Sequence, residues 1–238
     1  KALYNKPGTI CKTQTKSSKG CPFDCGLCPD HEQHTCIGLI EVTNKCDLCC
    51  PTCYANSGKG EFMSLKKVEE IMDFYMDSES GHAEILQISG GEPTTHPEIL
   101  DILELAMSKG FKYVMLNTNG IRIANDEGFV KELARFRCGF EIYLQFDGLN
   151  DKIYKHLRGR KLIDVKKKAI SLLTKHKIPI TLVSTIEAGV NDQEIGKIVK
   201  FAFDTDYIRG INFQPVAFFG RLPNIDTRHR ITLSGILK

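Results

Sequence analysis

The 238-residue chain has no uninterrupted apolar run of the kind that spans a bilayer, which takes about 18 residues or more. Its first residues, Lys1, Ala2, Leu3, Tyr4, Asn5 and Lys6, hold no apolar core such as a secretory leader needs. Charge of one sign is not in excess: 32 basic residues stand against 29 acidic ones, a net charge of +3, with no long like-sign block. That balance gives nucleic-acid binding little support. Cysteine is scarce past Cys53, where only Cys138 remains, and nine of the ten cysteines lie between Cys11 and Cys53. Disulfides stapling a fold would be spread along it, so the clustering points to metal ligation in a reducing cytoplasm. The chain lacks an initiating Met, and Ser234 to Lys238 read as the opening turn of a helix. We therefore expect part of a longer protein.

What is present divides the chain in three. Residues 1–36 are polar, rich in Cys, Gly, Pro and Lys, and lack a sustained apolar period. From Ile37 short apolar runs alternate with amphipathic stretches, the pattern of βα units around a parallel sheet. The runs predict six strands: 37–42, 85–89, 113–117, 141–146, 180–184 and 210–214. Between them, Leu65, Val68, Ile71, Met72 and Tyr75 recur at helical spacing, as do Ile99, Leu100, Ile102, Leu103 and Ala106. Thr95 with Glu98, and Asn191 with Glu194, have the spacing of reciprocal helix caps. Six units are two short of the eight in a closed barrel, so we expect an open α/β partial barrel, TIM-like, over 37–218, and the start of a further extension over 219–238. Cys138, just before a strand, reads as a small core residue.

Chemistry in such folds gathers at the carboxyl ends of the strands, and each barrel motif falls there. Soon after the first strand, Cys46, Cys50 and Cys53 form a C-x3-C-x2-C loop followed by Tyr54. Three thiolates on one loop leave an iron of a four-iron four-sulfur cluster without a protein ligand, a vacancy that the amino and carboxylate groups of a substrate can fill. The alternative on this loop is a zinc knuckle pairing Cys46 with Cys49 and Cys50 with Cys53. The second strand ends in Ser89, Gly90, Gly91, Glu92 and Pro93, the third in Asn117, Thr118, Asn119 and Gly120, and the fourth in Gln145, Phe146, Asp147 and Gly148. Two glycines allow close backbone approach; Asn-Gly and Asp-Gly are also ordinary turn formers.

The cysteine loop with Gly-Gly-Glu-Pro one βα unit later resembles the radical S-adenosylmethionine (SAM) superfamily. The resemblance implies a partial barrel that holds a 4Fe–4S cluster on Cys46, Cys50 and Cys53 and cleaves SAM reductively to a 5'-deoxyadenosyl radical. Tyr54, Gly90, Gly91, Glu92 and Pro93 would then line the SAM site, with Glu92 accepting from the ammonium. Asn117, Asn119, Gln145 and Asp147 would face its ribose or methionyl part, and Arg158 would pair with its carboxylate. Ser184 and Gln214, on the fifth and sixth strand ends, would complete the site. On this pattern Cys49 is a bystander.

A second C-x3-C-x2-C, at Cys21, Cys25 and Cys28, is followed by Cys36. No strand precedes it and a fourth thiolate closes it, so it reads as an auxiliary iron-sulfur cluster or a single iron or zinc site. His31, His34 and Cys11 are further ligand candidates. Both cysteine sets together resemble the branch that includes archaeal tetraether lipid synthase and pterin C-methylase-like proteins. The expectation that follows is C–C bond formation on an archaeal-type lipid, with contact to a membrane surface and a reductase or ferredoxin-type electron donor. Phe213, Val216, Phe218 and Phe219 are the apolar residues placed to line a lipid channel. The alternatives are pterin C-methylation, peptide modification, and a non-enzymatic iron-sulfur or zinc module.

Overall fold

A computed structural model describes residues 35–79, 81–221 and 230–236. Its frame is one parallel sheet of six strands in sequence order: β1 (Ile37–Glu41), β2 (Ile85–Ser89), β3 (Tyr113–Thr118), β4 (Phe140–Gln145), β5 (Ile180–Ile186) and β6 (Ile208–Pro215). Each strand pairs with its sequence neighbour, and β1 and β6 pair on one side only, so the sheet stays open. Between the strands run α1 (Leu65–Ser78), α2 (Ile99–Ser108), the short α3 (Ile121–Asn125) and α4 (Glu127–Leu133), α5 (Asp151–Arg158), α6 (Ile163–Lys175) and α7 (Ile195–Phe203). The open partial (βα)6 barrel expected from the alternating apolar runs and amphipathic stretches is the fold observed.

The alternation of side chains along a strand explains how one sheet serves two environments. One face, with Leu86, Ile88, Val114, Leu116, Ile142, Leu144, Ile180 and Leu182, is sealed under helix residues such as Val68, Met72, Ile102, Leu103, Ile170 and Leu173. Burying each of these side chains contributes roughly 1.5–3 kcal/mol, which fixes every strand's register. The opposite, concave face is half-buried along Gln87, Asn117, Tyr143 and Asn212 and exposed at Gln214. Strand ends on this face therefore converge on one rim.

Three local expectations are corrected. Thr95 closes a 3-10 turn (Pro93–Thr95), its hydroxyl donating to the Glu92 carbonyl at 2.7 Å, and α2 starts without a side-chain cap. Asn191 does not cap a helix with Glu194; it is fully buried and bonds Glu187 N, Asp147 O and Thr185 O. Cys138 is exposed, because Phe136 and Phe140 on either side take the core positions.

Candidate active site at the strand ends

The cysteine loop is built as an outgrowth of the sheet. Past β1, Val42 N donates to Ser89 O at 2.9 Å, Gly91 N to Thr43 O at 2.8 Å and Glu92 N to Lys45 O at 2.7 Å, so the ladder continues into the loop's first arm. Gly58 then closes that arm, accepting from Cys46 N at 3.0 Å and donating to Asn44 O at 3.1 Å. The second arm is held from the other side of the sheet: Cys53 and Arg221 exchange both backbone bonds, at 2.9 and 2.8 Å. Between the arms, Leu48 and Cys50 sink into a small apolar cluster with Tyr154 and Leu162, while Cys49 is exposed. Burial pushes the Cys46 thiol up from 9.0 to about 12. Burial also raises the Cys50 thiol, against a lowering from the Arg158 guanidinium.

The glycine pair serves this loop directly. A Cβ on Gly90 would collide with the Thr43 carbonyl and one on Gly91 with that of Lys45, and Gly90 adopts a φ of 137° that side chains rarely tolerate. Glu92 is 1% exposed, and its carboxylate accepts from Thr94 N at 3.1 Å, Thr94 Oγ1 at 2.6 Å, Thr118 Oγ1 at 2.7 Å and Asn119 N at 2.7 Å. Burial raises its pKa and these donors oppose the rise. The ammonium contact that the resemblance implies for Glu92 would add to these four protein donors, through which the side chain ties the end of β2 to the end of β3.

The remaining predicted residues fall into two groups. On the rim, Asn119 Nδ2 donates to Asp47 Oδ1 at 2.6 Å, joining β3's end to the cysteine loop. Arg158, the last residue of α5, donates to Asp147 Oδ2 through Nε and to Oδ1 through Nη2, both at 2.7 Å, and to Thr185 Oγ1 at 2.9 Å. Burial works against the Arg158 charge, and the Asp147 carboxylate overrides that penalty to raise its pKa. Gln145 is fixed at both ends of its amide, donating to Asp147 and accepting from Lys166 Nζ at 2.7 Å. Tyr54 stands exposed with its ring edge against Phe219, 6.4 Å between centroids. Inside the concave face, Asn117 accepts from Gln87 at 2.6 Å and donates to Ser89 Oγ at 3.1 Å. Gln214 lies there beside Tyr143.

Ser184 is not part of the rim. It points to the helix side, buried, with its hydroxyl on the Phe146 carbonyl, and Thr185 takes the concave position. The two-residue period of the strand identifies Thr185 once the strand is extended past Ser184. Sequence reasoning also missed Lys166, whose signal was a lysine on the buried stripe with Ala169, Ile170 and Leu173. Arg221 carried no signal, since it lies beyond the last expected strand. Of the second cysteine set, Cys21, Cys25 and Cys28, with His31, His34 and Cys11, lie outside the described residues; Cys36 is exposed just before β1.

The family model of the Radical SAM superfamily matches residues 40–202. The chain belongs to the radical SAM superfamily. Among the curated proteins similar to this radical SAM chain is 7,8-dihydro-6-hydroxymethylpterin dimethyltransferase of Methanocaldococcus jannaschii, 40% identical over 241 residues, covering 99% of this chain and 47% of that protein. Mitochondrial GTP 3',8-cyclase of Arabidopsis thaliana is 29% identical over 196 residues, 78% of this chain and 47% of its own. The chain spans about half the length of these relatives. Streptococcus suis SuiB bound to S-adenosylmethionine superposes with a TM-score of 0.66 at 21% identity, over 80% of this chain and 44% of that one. Its likeness concerns the fold.

The family's cofactors are a 4Fe–4S cluster and SAM, and the donor set here fits them. Cys46, Cys50 and Cys53 share one pinned loop, close enough that Cys50 helps to raise the Cys46 thiol and Cys53 helps to raise the Cys50 thiol. Among the described residues no three His, Cys, Asp or Glu side chains converge as a single metal ion needs. Cysteines binding separate iron corners of a cluster need no such convergence. Two buried side-chain polar atoms lack a partner among the described residues, Thr52 Oγ1 and Arg221 Nη2, and both belong to this loop or its clamp. Among the described residues no helix is long and apolar enough to cross a membrane.

Proposed function

We propose that this chain is the radical-generating core of an enzyme that activates a C–H bond on a pterin-type heterocycle for C-methylation, with Cys46, Cys50 and Cys53 as the cluster ligands. When bound, the cluster and SAM supply a one-electron cleavage that yields a 5'-deoxyadenosyl radical able to abstract hydrogen from carbon. The chain's own residues then do three things. Asp147 and Thr185 hold the Arg158 guanidinium at the rim, where it can meet the SAM carboxylate. Asn119 and Gln145 present polar groups from neighbouring strand ends. The glycine pair keeps the cysteine loop against β2.

The observation that carries the substrate class is the chemistry of the concave wall. Met115 and Val183 alternate there with Gln87, Asn117, Tyr143, Asn212 and Gln214, and the Asn212 amide donates to the Tyr143 hydroxyl. A flat heterocycle with apolar faces and hydrogen-bonding edges matches such a wall; an alkyl chain would engage none of its hydrogen-bonding groups. The similar Methanocaldococcus jannaschii protein, named for a dihydropterin, supports the same reading. It displaces the lipid chemistry put first by the sequence. The lipid reading retains one observation, a cavity of about 580 Å³ lined by Val216, Phe218, Phe219, Ile231 and Leu233, beyond β6. The Cys21 set would hold an auxiliary cluster or a single iron or zinc, and a reductase or ferredoxin-type donor would supply electrons.

The test is anaerobic reconstitution with iron and sulfide, then SAM and dithionite with ring-deuterated 6-hydroxymethyl-7,8-dihydropterin or a deuterated lipid. Deuterium in 5'-deoxyadenosine from the pterin, abolished by Cys50→Ala, is the expected result. Transfer from the lipid alone would overturn the substrate class, and nucleoside formation unaffected by Cys50→Ala would overturn the cluster assignment.

A further inference from the structure

The segment that follows β6 is fitted to the cysteine loop at four points. Phe219 packs edge-on against Tyr54. Gly220, at a φ of 77°, lies so close under the loop that a Cβ would stand 2.5 Å from Cys53 O. Arg221 forms the two-bond bridge with Cys53 and, through Nε, donates to Cys50 O at 2.8 Å. A guanidinium has five N–H donors in a rigid fork. Here the fork is anchored to the backbone of one expected cluster ligand while Nη2, buried, has no partner among the described residues. A buried unpaired donor is costly, and Thr52 Oγ1 on the same loop repeats the situation.

We infer that Arg221 is a positioning residue of the cluster loop whose Nη2 donates a hydrogen bond to a sulfur of the bound cluster, so that the guanidinium favours the reduced form. The inference rests on the assignment of the cluster to Cys46, Cys50 and Cys53. Reduction by one electron adds a negative charge to the cluster, and a fixed cation with an N–H directed at sulfur stabilises that charge; hydrogen bonds to cluster sulfurs are among the determinants of potential. The bridge to Cys53 is made by the backbone of residue 221 and survives a change of side chain. Arg221→Gln removes the charge, and Arg221→Lys keeps the charge while losing the fork.

The measurement is an EPR-monitored redox titration of the reconstituted full chain without SAM, alongside iron content and circular dichroism. For Arg221→Gln the ratio of reduced to oxidised cluster at a fixed potential should fall at least tenfold, a midpoint about 59 mV more negative for one electron. Arg221→Lys should shift the same way by less. Potentials in both variants equal to the parent's, at full iron content, would overturn the role of Arg221 and leave the cluster assignment standing. If Arg221→Gln takes up no iron, Arg221→Lys decides alone, and an unshifted midpoint rejects the inference. No reducible cluster signal in the parent would overturn the cluster assignment and the inference with it.

Discussion

Arg158 grips both carboxylate oxygens of Asp147 at 2.7 Å, and Asp147 is fully buried. The pair joins the end of β4 to the end of α5. Asp147 also receives Gln145, and its Oδ1 accepts from Thr185 N at 3.1 Å, so one carboxylate gathers groups from two neighbouring strands and a helix end. The guanidinium in turn faces Cys50, drawing the cysteine loop into the same network. A rim assembled this way has few independent parts.

Removing one partner of this buried pair should be costly, because the other charge stays in a dry site. Asp147→Asn is expected to lower the unfolding free energy of the metal-free chain by about 3–5 kcal/mol in urea. Arg158→Met should cost a similar amount. The double variant should lose less than the sum of the two; additive losses would show that the pair is not coupled.

Gly91→Ala tests the contact between the glycine pair and the loop. The new methyl group would press on the Lys45 carbonyl, whose oxygen accepts from Glu92 N at 2.7 Å. The sheet core is remote from this point, so the expected effect is local: iron bound after anaerobic reconstitution should fall severalfold while helical circular dichroism changes little. Full iron uptake would show that the arm can give way.

The strands and the cysteine loop were legible because each depends on residues close in sequence. The period of two in β3, for instance, follows from Val114, Leu116 and Thr118 facing the helices. What escaped reading were roles set by distant partners. Glu92 is visible as a motif residue, yet two of its four donors come from Thr118 and Asn119 at the end of the next strand. Ser184 ends the strand expected from the sequence, and the pleat turns it to the helix side. Arg221 lies 171 positions from Cys50, a separation no local pattern spans.

Lys166 gives the metal-free chain a signature in pH. Its Nζ, fully buried, donates to Asn119 O at 2.5 Å and Gln145 Oε1 at 2.7 Å, and burial pulls the ammonium down from 10.5 to about 7. Asp147 and Glu92 favour its charge, while Arg158 opposes it. Above pH 7 the folded lysine is neutral and the unfolded one still binds a proton, so stability rises with pH in that window. The slope contributed is about 1.4 kcal/mol per pH unit at most. Measured between pH 7 and 8.5, below the ordinary thiol value of 9.0, Lys166→Met should flatten the rise. An unchanged slope would place the proton elsewhere.

Asn191 is the least conspicuous of the site's supports and the most sharply testable. Its Oδ1 accepts from Glu187 N at 2.9 Å, and its Nδ2 donates to Asp147 O and to Thr185 O, each at 2.8 Å. One amide thus satisfies three backbone groups where the ends of β4 and β5 meet. Asn191→Ala strands all three, and with about 1–3 kcal/mol for each buried unsatisfied group the loss should be several kcal/mol. Asn191→Asp separates hydrogen bonding from volume. The aspartate fits the space and keeps the acceptor for Glu187, but it turns a second acceptor toward two carbonyl oxygens. Its chain should therefore be destabilised at neutral pH and recover part of the loss at acid pH, where a protonated carboxyl can donate again. Urea titrations of both variants at two pH values provide the check. Equal losses that do not change with pH would mean that packing, not the hydrogen bonds, sets the value of this residue.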